Sequence, residues 1–155
     1  MLKIFCTSLF LIGMAAISVS LRAQSVTPVG QFDGQSDVGK VKRPGSATYD
    51  PKKQSYTIEG SGTNIWFDRD EFHFVWKRMK GDFILQTSGT LLGKGVDPHR
   101  KLGWMVRSSL DSNSAHINAV VHGDGLTSLQ FRRTKAAMTE ELKSTLTSAD
   151  VVQLA

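Results

Sequence analysis

The stretch AHINAVVHGDGLTSLQFRR, residues 115–133, carries a pattern from which the fold class can be argued. Apolar and polar residues alternate on both sides of its centre, as they do in β-strands, whose side chains point to opposite faces in turn. The centre, Gly123-Asp124-Gly125, is a turn sequence. The stretch therefore predicts an antiparallel hairpin. One of its faces is apolar, and the other carries histidine, amide and arginine side chains.

The same alternation recurs along the chain. It predicts a hairpin over 45–58, a strand over 71–77 that pairs with 83–87, and a further strand over 102–107. In the strand over 71–77 the aromatic positions fall on one face, which we expect to be core. Several short strands separated by turn residues favour an antiparallel sandwich or barrel.

Two segments near the C-terminus have other patterns. Met138, Leu142 and Leu146 repeat at four-residue spacing among good helix formers, which predicts a helix over 136–146. Residues 151–154 have the pattern of a strand that starts and then ends without a partner.

The composition bounds the class of protein. The chain has 155 residues, with 19 Lys and Arg against 14 Asp and Glu, and a single cysteine. That length fits one domain. The composition excludes a collagen, a coiled coil, a disulfide-rich scaffold and a multi-pass membrane protein.

The N-terminus has the order of a secretory signal peptide: a basic start, an apolar run and then small residues. We predict a signal peptide over 1–24, cleaved between residues 20 and 24, and one domain over 25–155. An uncleaved anchor is the alternative, because Arg22 follows the apolar run. After cleavage we expect no membrane association and no disulfide, since the only cysteine is Cys6. Without Lys3 and Arg22, 17 basic residues stand against 14 acidic ones, or +3, which does not indicate a nucleic-acid partner.

Five motifs together resemble one family. They are GSGTNIW at 60–66, DEFHFVW at 70–76, KGDF at 80–83, GWMVRSSLD at 103–111 and HGDGLTSLQFR at 122–132. Their order and spacing are similar to the concanavalin A-like domain of the "regulation of enolase protein 1" type. The version that precedes TolB-like β-propellers in exported bacterial proteins is especially similar, and the resemblance covers about 31–154.

The resemblance implies an all-β fold, a two-sheet antiparallel jelly-roll sandwich of concanavalin A-like type. It also implies a periplasmic or extracellular accessory module, often carbohydrate-associated. The family continues with further strands after the position of Leu154, so we expect the C-terminal strands to be missing from this chain.

A row of polar residues falls opposite the apolar positions of the predicted strands. In a curved sandwich such a row can hydrogen-bond sugar hydroxyls, although an antiparallel sheet also commonly has one solvated face. The leading hypothesis is a non-catalytic carbohydrate-binding module, with Trp66 stacking on a sugar ring and the other contacts hydrogen-bonding. The row consists of Glu71, His73, Lys77, Gln86, Arg107, His116, Asn118, His122, Gln130 and Arg132. The predicted ligand contacts are Trp66, His73, Arg107, His122, Asp124 and Arg132.

Two alternatives belong to other classes of protein. A protein-interaction module that accompanies a propeller would bind through an apolar patch or edge. A glycosidase would need two carboxylates facing one cleft. The acidic cluster of Asp68, Asp70 and Glu71 beside His73 permits this spacing but lacks the motif of sandwich glycosidases, and it offers three carboxylates to a structural calcium ion. We predict no catalytic residue, no bound metal and no cofactor, with calcium as the alternative.

Overall fold

The computed structural model describes residues 27–95, 97–147 and 152–154. Within these ranges the chain is all-β, and every strand pairing is antiparallel. The predicted signal peptide, 1–24, lies outside the described residues. None of the described segments forms a helix that is long and apolar enough to cross a membrane.

Twelve strands lie in the described ranges. They are β1 Gly34–Val38, β2 Ser46–Asp50, β3 Ser55–Glu59, β4 Ile65–Trp66, β5 Arg69–Asp70, β6 Phe72–Trp76, β7 Thr87–Gly89, β8 Lys101–Arg107, β9 His116–His122, β10 Leu126–Arg132, β11 Glu140–Thr147 and β12 Val152–Leu154.

The largest sheet has four strands in the order β11-β10-β9-β8. The other strands form two-stranded sheets: β1 with β6, β2 with β3, β4 with β5, and β7 with β12. The predicted hairpin over 115–133 is confirmed as β9–β10, and the hairpin over 45–58 is confirmed as β2–β3.

Strand β6 is confirmed, but the predicted pairing with 83–87 is wrong. Its partner is β1, in a register that places Gly34 opposite Trp76 and Val38 opposite Phe72. Residues 83–86 form no strand. The pairing with β1 buries Val38 and Val75, and burial of apolar area favours it over the nearer sequence neighbour.

The predicted helix over 136–146 is wrong. The residues after Ala136, which has a φ of +61°, lead into β11, and β11 pairs with β10. A four-residue spacing also places side chains on one face of a strand, so the pattern did not distinguish the two structures. A helix of about eleven residues is marginal alone in water, whereas the strand gains a ladder of hydrogen bonds to β10.

The C-terminal strand is confirmed at 152–154, but the expectation that it lacks a partner is wrong. It pairs with β7, with Gln153 opposite Ser88.

One hydrophobic cluster lies beside β2, β3 and β6. Buried Val29, Ala47 and Val75 form it, and three half-buried rings pack against it. The rings are Phe32, Tyr49 and Tyr56, with the Tyr49 and Tyr56 centroids 4.6 Å apart and those of Phe32 and Tyr56 5.1 Å apart.

Candidate functional site on the two faces of the four-stranded sheet

The register of β8 to β11 sorts their side chains onto two faces. Trp104, Ala119, Leu129 and Leu142 lie opposite one another in one row, and the next row is Met105, Asn118, Gln130 and Glu141. We call the first side the apolar face: Leu102, Trp104, Val106, Ile117, Ala119, Val121, Leu129, Phe131 and Leu142. We call the second side the polar face: Lys101, Met105, Arg107, His116, Asn118, Val120, His122, Ser128, Gln130, Arg132, Glu141 and Lys143.

Apart from Lys143 at its edge, the polar face is largely buried, which corrects the expectation of a solvated or open polar row. Asn118 is 1% exposed and Gln130 2%, and His116, His122 and Arg132 are also buried. Of the same predicted row, Lys77 and Gln86 are exposed and lie outside this sheet. The prediction that these residues of β8–β10 share one polar face is therefore confirmed. The prediction that this face is open to solvent is wrong.

Residues 64–70, which include β4 and β5, cover the polar face. Lys101 donates from Nζ to Asn64 Oδ1 at one end of this segment. Arg132 donates from Nη2 to the carbonyl of Phe67 at 3.1 Å, and Thr139 donates from its backbone N–H to the same carbonyl at 2.8 Å. The segment thus lies across the sheet from Lys101 to Arg132.

Asp70 sits at the centre of a buried ionic cluster. Its carboxylate accepts two hydrogen bonds from Arg132, at 2.7 and 3.0 Å, and one from Arg107 at 3.3 Å. His116 Nδ1 lies 3.6 Å from Asp70 Oδ2. The side chains of Asp70, Arg132 and His116 are fully buried. Two cations thus face one anion out of contact with water, and each depends on the others for compensation.

Every N–H of the Arg132 guanidinium has an acceptor inside the protein. Besides Asp70, Nε donates to the Ala137 carbonyl and Nη1 to the Ser114 carbonyl, both at 3.0 Å. Nη2 also lies 3.1 Å from Thr139 Oγ1. Arginine has five such donors, so Arg132 has no donor left for a ligand. Its contacts hold residues 67–70 and 137–139 onto the sheet.

Burial and the neighbouring charges shift the pKa values of His116 and Arg107 in this cluster. Burial lowers the pKa of His116, and Arg132 and Arg107 lower it further against the attraction of Asp70. Burial also lowers the pKa of Arg107, opposed by Asp70. His116 is therefore neutral at pH 7.

A second polar group occupies the other end of the face. His122 donates from Nδ1 to the Leu126 carbonyl at 3.0 Å, which leaves Nε2 as an acceptor for Gln130 Nε2 at 3.4 Å. Gln130 also donates to Glu141 Oε1 at 2.8 Å. Burial lowers the pKa of His122. Burial acts to raise the pKa of Glu141, but the hydrogen bond from Gln130 and others outweigh it and lower that pKa.

Between these two groups lie amide atoms without partners. Within the described residues, Asn118 Oδ1 and Nδ2 and Gln130 Oε1 are buried and make no hydrogen bond. Both ring nitrogens of His116 are likewise buried without a hydrogen-bond partner in the described residues. An unpaired buried polar group costs about 1–3 kcal/mol, so this part of the polar face suits a water or a ligand that can donate and accept.

The apolar face is open over most of its area. Val106 is 43% exposed, Ile117 44%, Leu129 37% and Leu142 61%. The face is covered at the end near Val121, which is buried. There the ring centroids of Phe32 and Trp104 are 6.4 Å apart. The apolar side of these strands is thus mostly the solvent-facing one, and Trp104 is half-buried.

A shallow depression of about 540 Å³ lies at the open end of the apolar face. Val106, Ile117, Phe131 and Arg133 of the apolar face line it, together with the neighbouring residues Arg107, Ser108, Ala115, His116 and Arg132. Arg133 lies over the Phe131 ring, 4.8 Å from its centroid, and pairs with Glu140 through contacts of 2.8 and 3.3 Å. Valine, isoleucine and phenylalanine side chains thus lie in the depression beside an arginine that is paired within the chain.

The structure brings together three of the six predicted ligand contacts. Arg107 and Arg132 meet at Asp70, and the Trp66 carbonyl lies 3.4 Å from Arg132 Nη2. His122 is buried at the far end of the sheet. The exposed Asp124 accepts from the Leu126 N–H in the adjoining turn.

His73 lies apart from the other five. Its ring nitrogens contact Asp37 Oδ1 at 2.9 Å and Gln35 Oε1 at 3.0 Å, on the β1–β6 sheet. The six residues therefore do not form one site, and their role as ligand contacts stays a prediction.

The predicted acidic cluster is dispersed. Asp68 is exposed and lies 3.7 Å from Arg69, Asp70 is inside the ionic cluster, and Glu71 accepts from Thr63. Among the described residues, no group of three or more His, Cys, Asp or Glu side chains is placed to hold a metal ion. Asp68 is therefore exposed to solvent while Asp70 is buried, and the two carboxylates do not face one cleft.

Two features of this sheet do not follow from the sequence pattern. Asn118 and Gln130 belong to the predicted polar row but not to the predicted ligand contacts. Alternation also does not indicate whether the apolar side of β8–β11 is core or exposed surface, because both have the same pattern.

Comparison of the chain with family models, with curated proteins and with solved structures gave no significant match.

Proposed function

We propose that this chain is an exported, non-catalytic binding module that docks on another protein through the apolar face of β8–β11. The observation that carries the proposal is the exposure of Val106, Ile117, Leu129 and Leu142 on one side of a sheet whose other side is buried.

The reasoning starts from how sheets normally face water. An antiparallel sheet with one free side usually packs its apolar side inward and solvates its polar side. Here the arrangement is reversed, because residues 64–70 bury the polar face. Contiguous exposed apolar area of this kind marks an interaction surface more often than ordinary surface.

The same observation supports a finer view of the fold. In a two-sheet sandwich, the apolar face of each sheet is an inner wall, and the sheets pack about 10 Å apart. We propose that β8–β11 is one wall of such a sandwich, of the jelly-roll type that the family resemblance implies. What binds the apolar face then supplies the opposite wall.

Photocrosslinking tests the proposal. We expect a benzoylphenylalanine at Ile117 of the full chain to crosslink to protein in the cells that produce it. Adding Leu129→Asp should lower the yield at least tenfold, because a charge on the docking face must be desolvated. The control position is Ile58, which is 47% exposed on β3. The yield of crosslinked product from the probe at Ile58 should be the same with and without Leu129→Asp.

An Ile117 probe that gives no protein product contradicts the proposal. So does a product whose yield is unchanged by Leu129→Asp. Mass spectrometry of the product identifies the occupant.

A second candidate is the carbohydrate-binding function expected from the sequence. The unpaired amides of Asn118 and Gln130 favour it, because sugar hydroxyls both donate and accept. Trp66 lies on the segment that covers them and is half-buried. A ligand would have to displace residues 64–70 to reach these amides.

A glycan array tests this candidate. If the polar face binds sugar, the full chain should give hits that Asn118→Ala removes and that Lys53→Ala, in the exposed β2–β3 turn, retains. Arg132 is unsuitable for this test because its loss would disturb the fold. No hit, or hits that survive Asn118→Ala, would eliminate the polar face as a sugar site.

A further inference from the structure

We propose that the occupant of the apolar face is a second copy of this chain, so that two β8–β11 sheets pack face to face about a two-fold axis. This inference rests on the proposed function, since it names the partner of the same surface.

Charge is the first argument for a second copy. Among the described residues of β8–β11 and the segment that joins β10 to β11, the register places two charged side chains on or beside the apolar face, Arg133 and Glu140, and these pair with each other. Two copies of a face that carries no net charge do not repel, although the whole chain has a formal charge of +5. A face without excess charge suits a partner face that is also neutral.

Shape is the second argument. Leu142 projects from the edge strand β11 and is the most exposed side chain of the face. The depression at Val106, Ile117 and Phe131 lies on the neighbouring strands of the same face. A two-fold axis makes every such contact reciprocal. Leu142 of each copy can therefore enter the depression of the other.

The expected strength follows from the size of the face. Four strands of seven residues measure about 19 Å by about 23 Å. Because one end of the face is already covered by Phe32, face-to-face packing would bury at most roughly 900 Å² in total, which is the size of a weak interface. We expect a dimer that dissociates on dilution through the micromolar range.

Sedimentation equilibrium of the full chain tests the proposal. We expect a monomer–dimer equilibrium from micromolar to hundreds of micromolar concentrations. Leu142→Glu should raise the dissociation constant at least tenfold, because each interface would bury two unpaired carboxylates. Ile58→Glu, also at an exposed apolar strand position, should leave the constant unchanged. Far-UV circular dichroism shows that each variant keeps its strands.

Chemical crosslinking gives a second, independent readout. In a Cys6→Ser background, chains with Ile117→Cys are mixed with chains with Leu142→Cys and treated with a thiol-reactive crosslinker about 10 Å long, because facing sheets pack about 10 Å apart. Each chain then carries one thiol, so a product that contains both chains is intermolecular. A covalent dimer of the two different chains supports the packing, and its absence at high concentration contradicts it.

The outcomes separate this inference from the proposed function. A monomer at every concentration, or a dimer that Leu142→Glu does not weaken, overturns the second copy as occupant. If Ile117 then still crosslinks to a different protein in a Leu129-dependent way, the proposed function stands. If it crosslinks to no protein, both proposals fail.

Discussion

Replacing Asp70 with alanine should lower the free energy of unfolding by about 3–5 kcal/mol, because it leaves two buried arginines without their counter-charge. Arg132 contacts this carboxylate at 2.7 and 3.0 Å and Arg107 contacts it at 3.3 Å. Neither guanidinium can turn to water, since the side chain of Arg132 is fully buried and that of Arg107 is 2% exposed. Stability of small domains is commonly about 5–15 kcal/mol, so this single change removes a large part of it.

Urea unfolding followed by circular dichroism measures the effect on the full chain. Asp68→Ala is the matched control, since Asp68 is exposed and only 3.7 Å from the exposed Arg69. Exposed pairs contribute about 0–1 kcal/mol, so the control should unfold almost as the parent does. An Asp70→Ala protein that is unfolded without urea supports the prediction. One that loses less than about 1 kcal/mol contradicts it, because the cluster would then not stabilise the sheet.

The second large effect is a loss of stability as pH falls from about 7.5 to about 5.5. Burial lowers the pKa of both His116 and His122 in the folded protein. In the unfolded chain the histidines titrate near the ordinary value of about 6.5. Between the folded and unfolded pKa values the unfolded chain binds more protons, so acid favours unfolding. The slope can reach about 1.4 kcal/mol per pH unit for each histidine.

Glu141, which lies beside Gln130 on the same face, does not obscure this window. The pKa of Glu141 is lowered in the folded protein, so its contribution is present above its unfolded pKa and is lost only at more acidic pH. Protonation of His116 would also add a third cation beside Arg107 and Arg132, which the single Asp70 carboxylate does not balance.

Unfolding free energies measured across this pH range test the prediction. His116→Gln should reduce the slope, because the amide does not titrate. Lys53→Gln, in the exposed β2–β3 turn, is the control and should leave the slope as it is. A stability that is flat between the two pH limits, or a slope that survives loss of both His116 and His122, contradicts the assignment.

Much of the fold follows from local patterns in the sequence. The alternation over 115–133 with its central Gly-Asp-Gly correctly predicted the β9–β10 hairpin, since both strands and the turn between them are specified by neighbouring residues. The partner of β6 could not be predicted in this way. It lies in β1, some forty residues earlier in the chain, and nothing local distinguishes it from the nearer segment 83–87.

For the candidate site, too, the local pattern predicted part of the arrangement and the long-range contacts decided the rest. Alternation placed Arg107, His116, Asn118, His122, Gln130 and Arg132 on the side of their strands opposite the apolar residues, and the register confirms that they share one face. Their environment could not be predicted, because it depends on residues 64–70, which reach this face only in the folded chain. Alternation also placed His73 in the predicted polar row, but His73 lies on the β1–β6 sheet.

By itself the sequence determined that most of the chain forms strands and that β8–β10 each have one polar and one apolar side, because a two-residue period is a local property of the chain. It did not decide between helix and strand over 136–146. Which side faces water was decided only by the tertiary structure. Alternation is symmetric between the two sides, and the choice depends on contacts such as that of Arg132 with Asp70, 62 residues apart in sequence. Those contacts stabilise the burial of the polar face, and the apolar face is thereby left exposed.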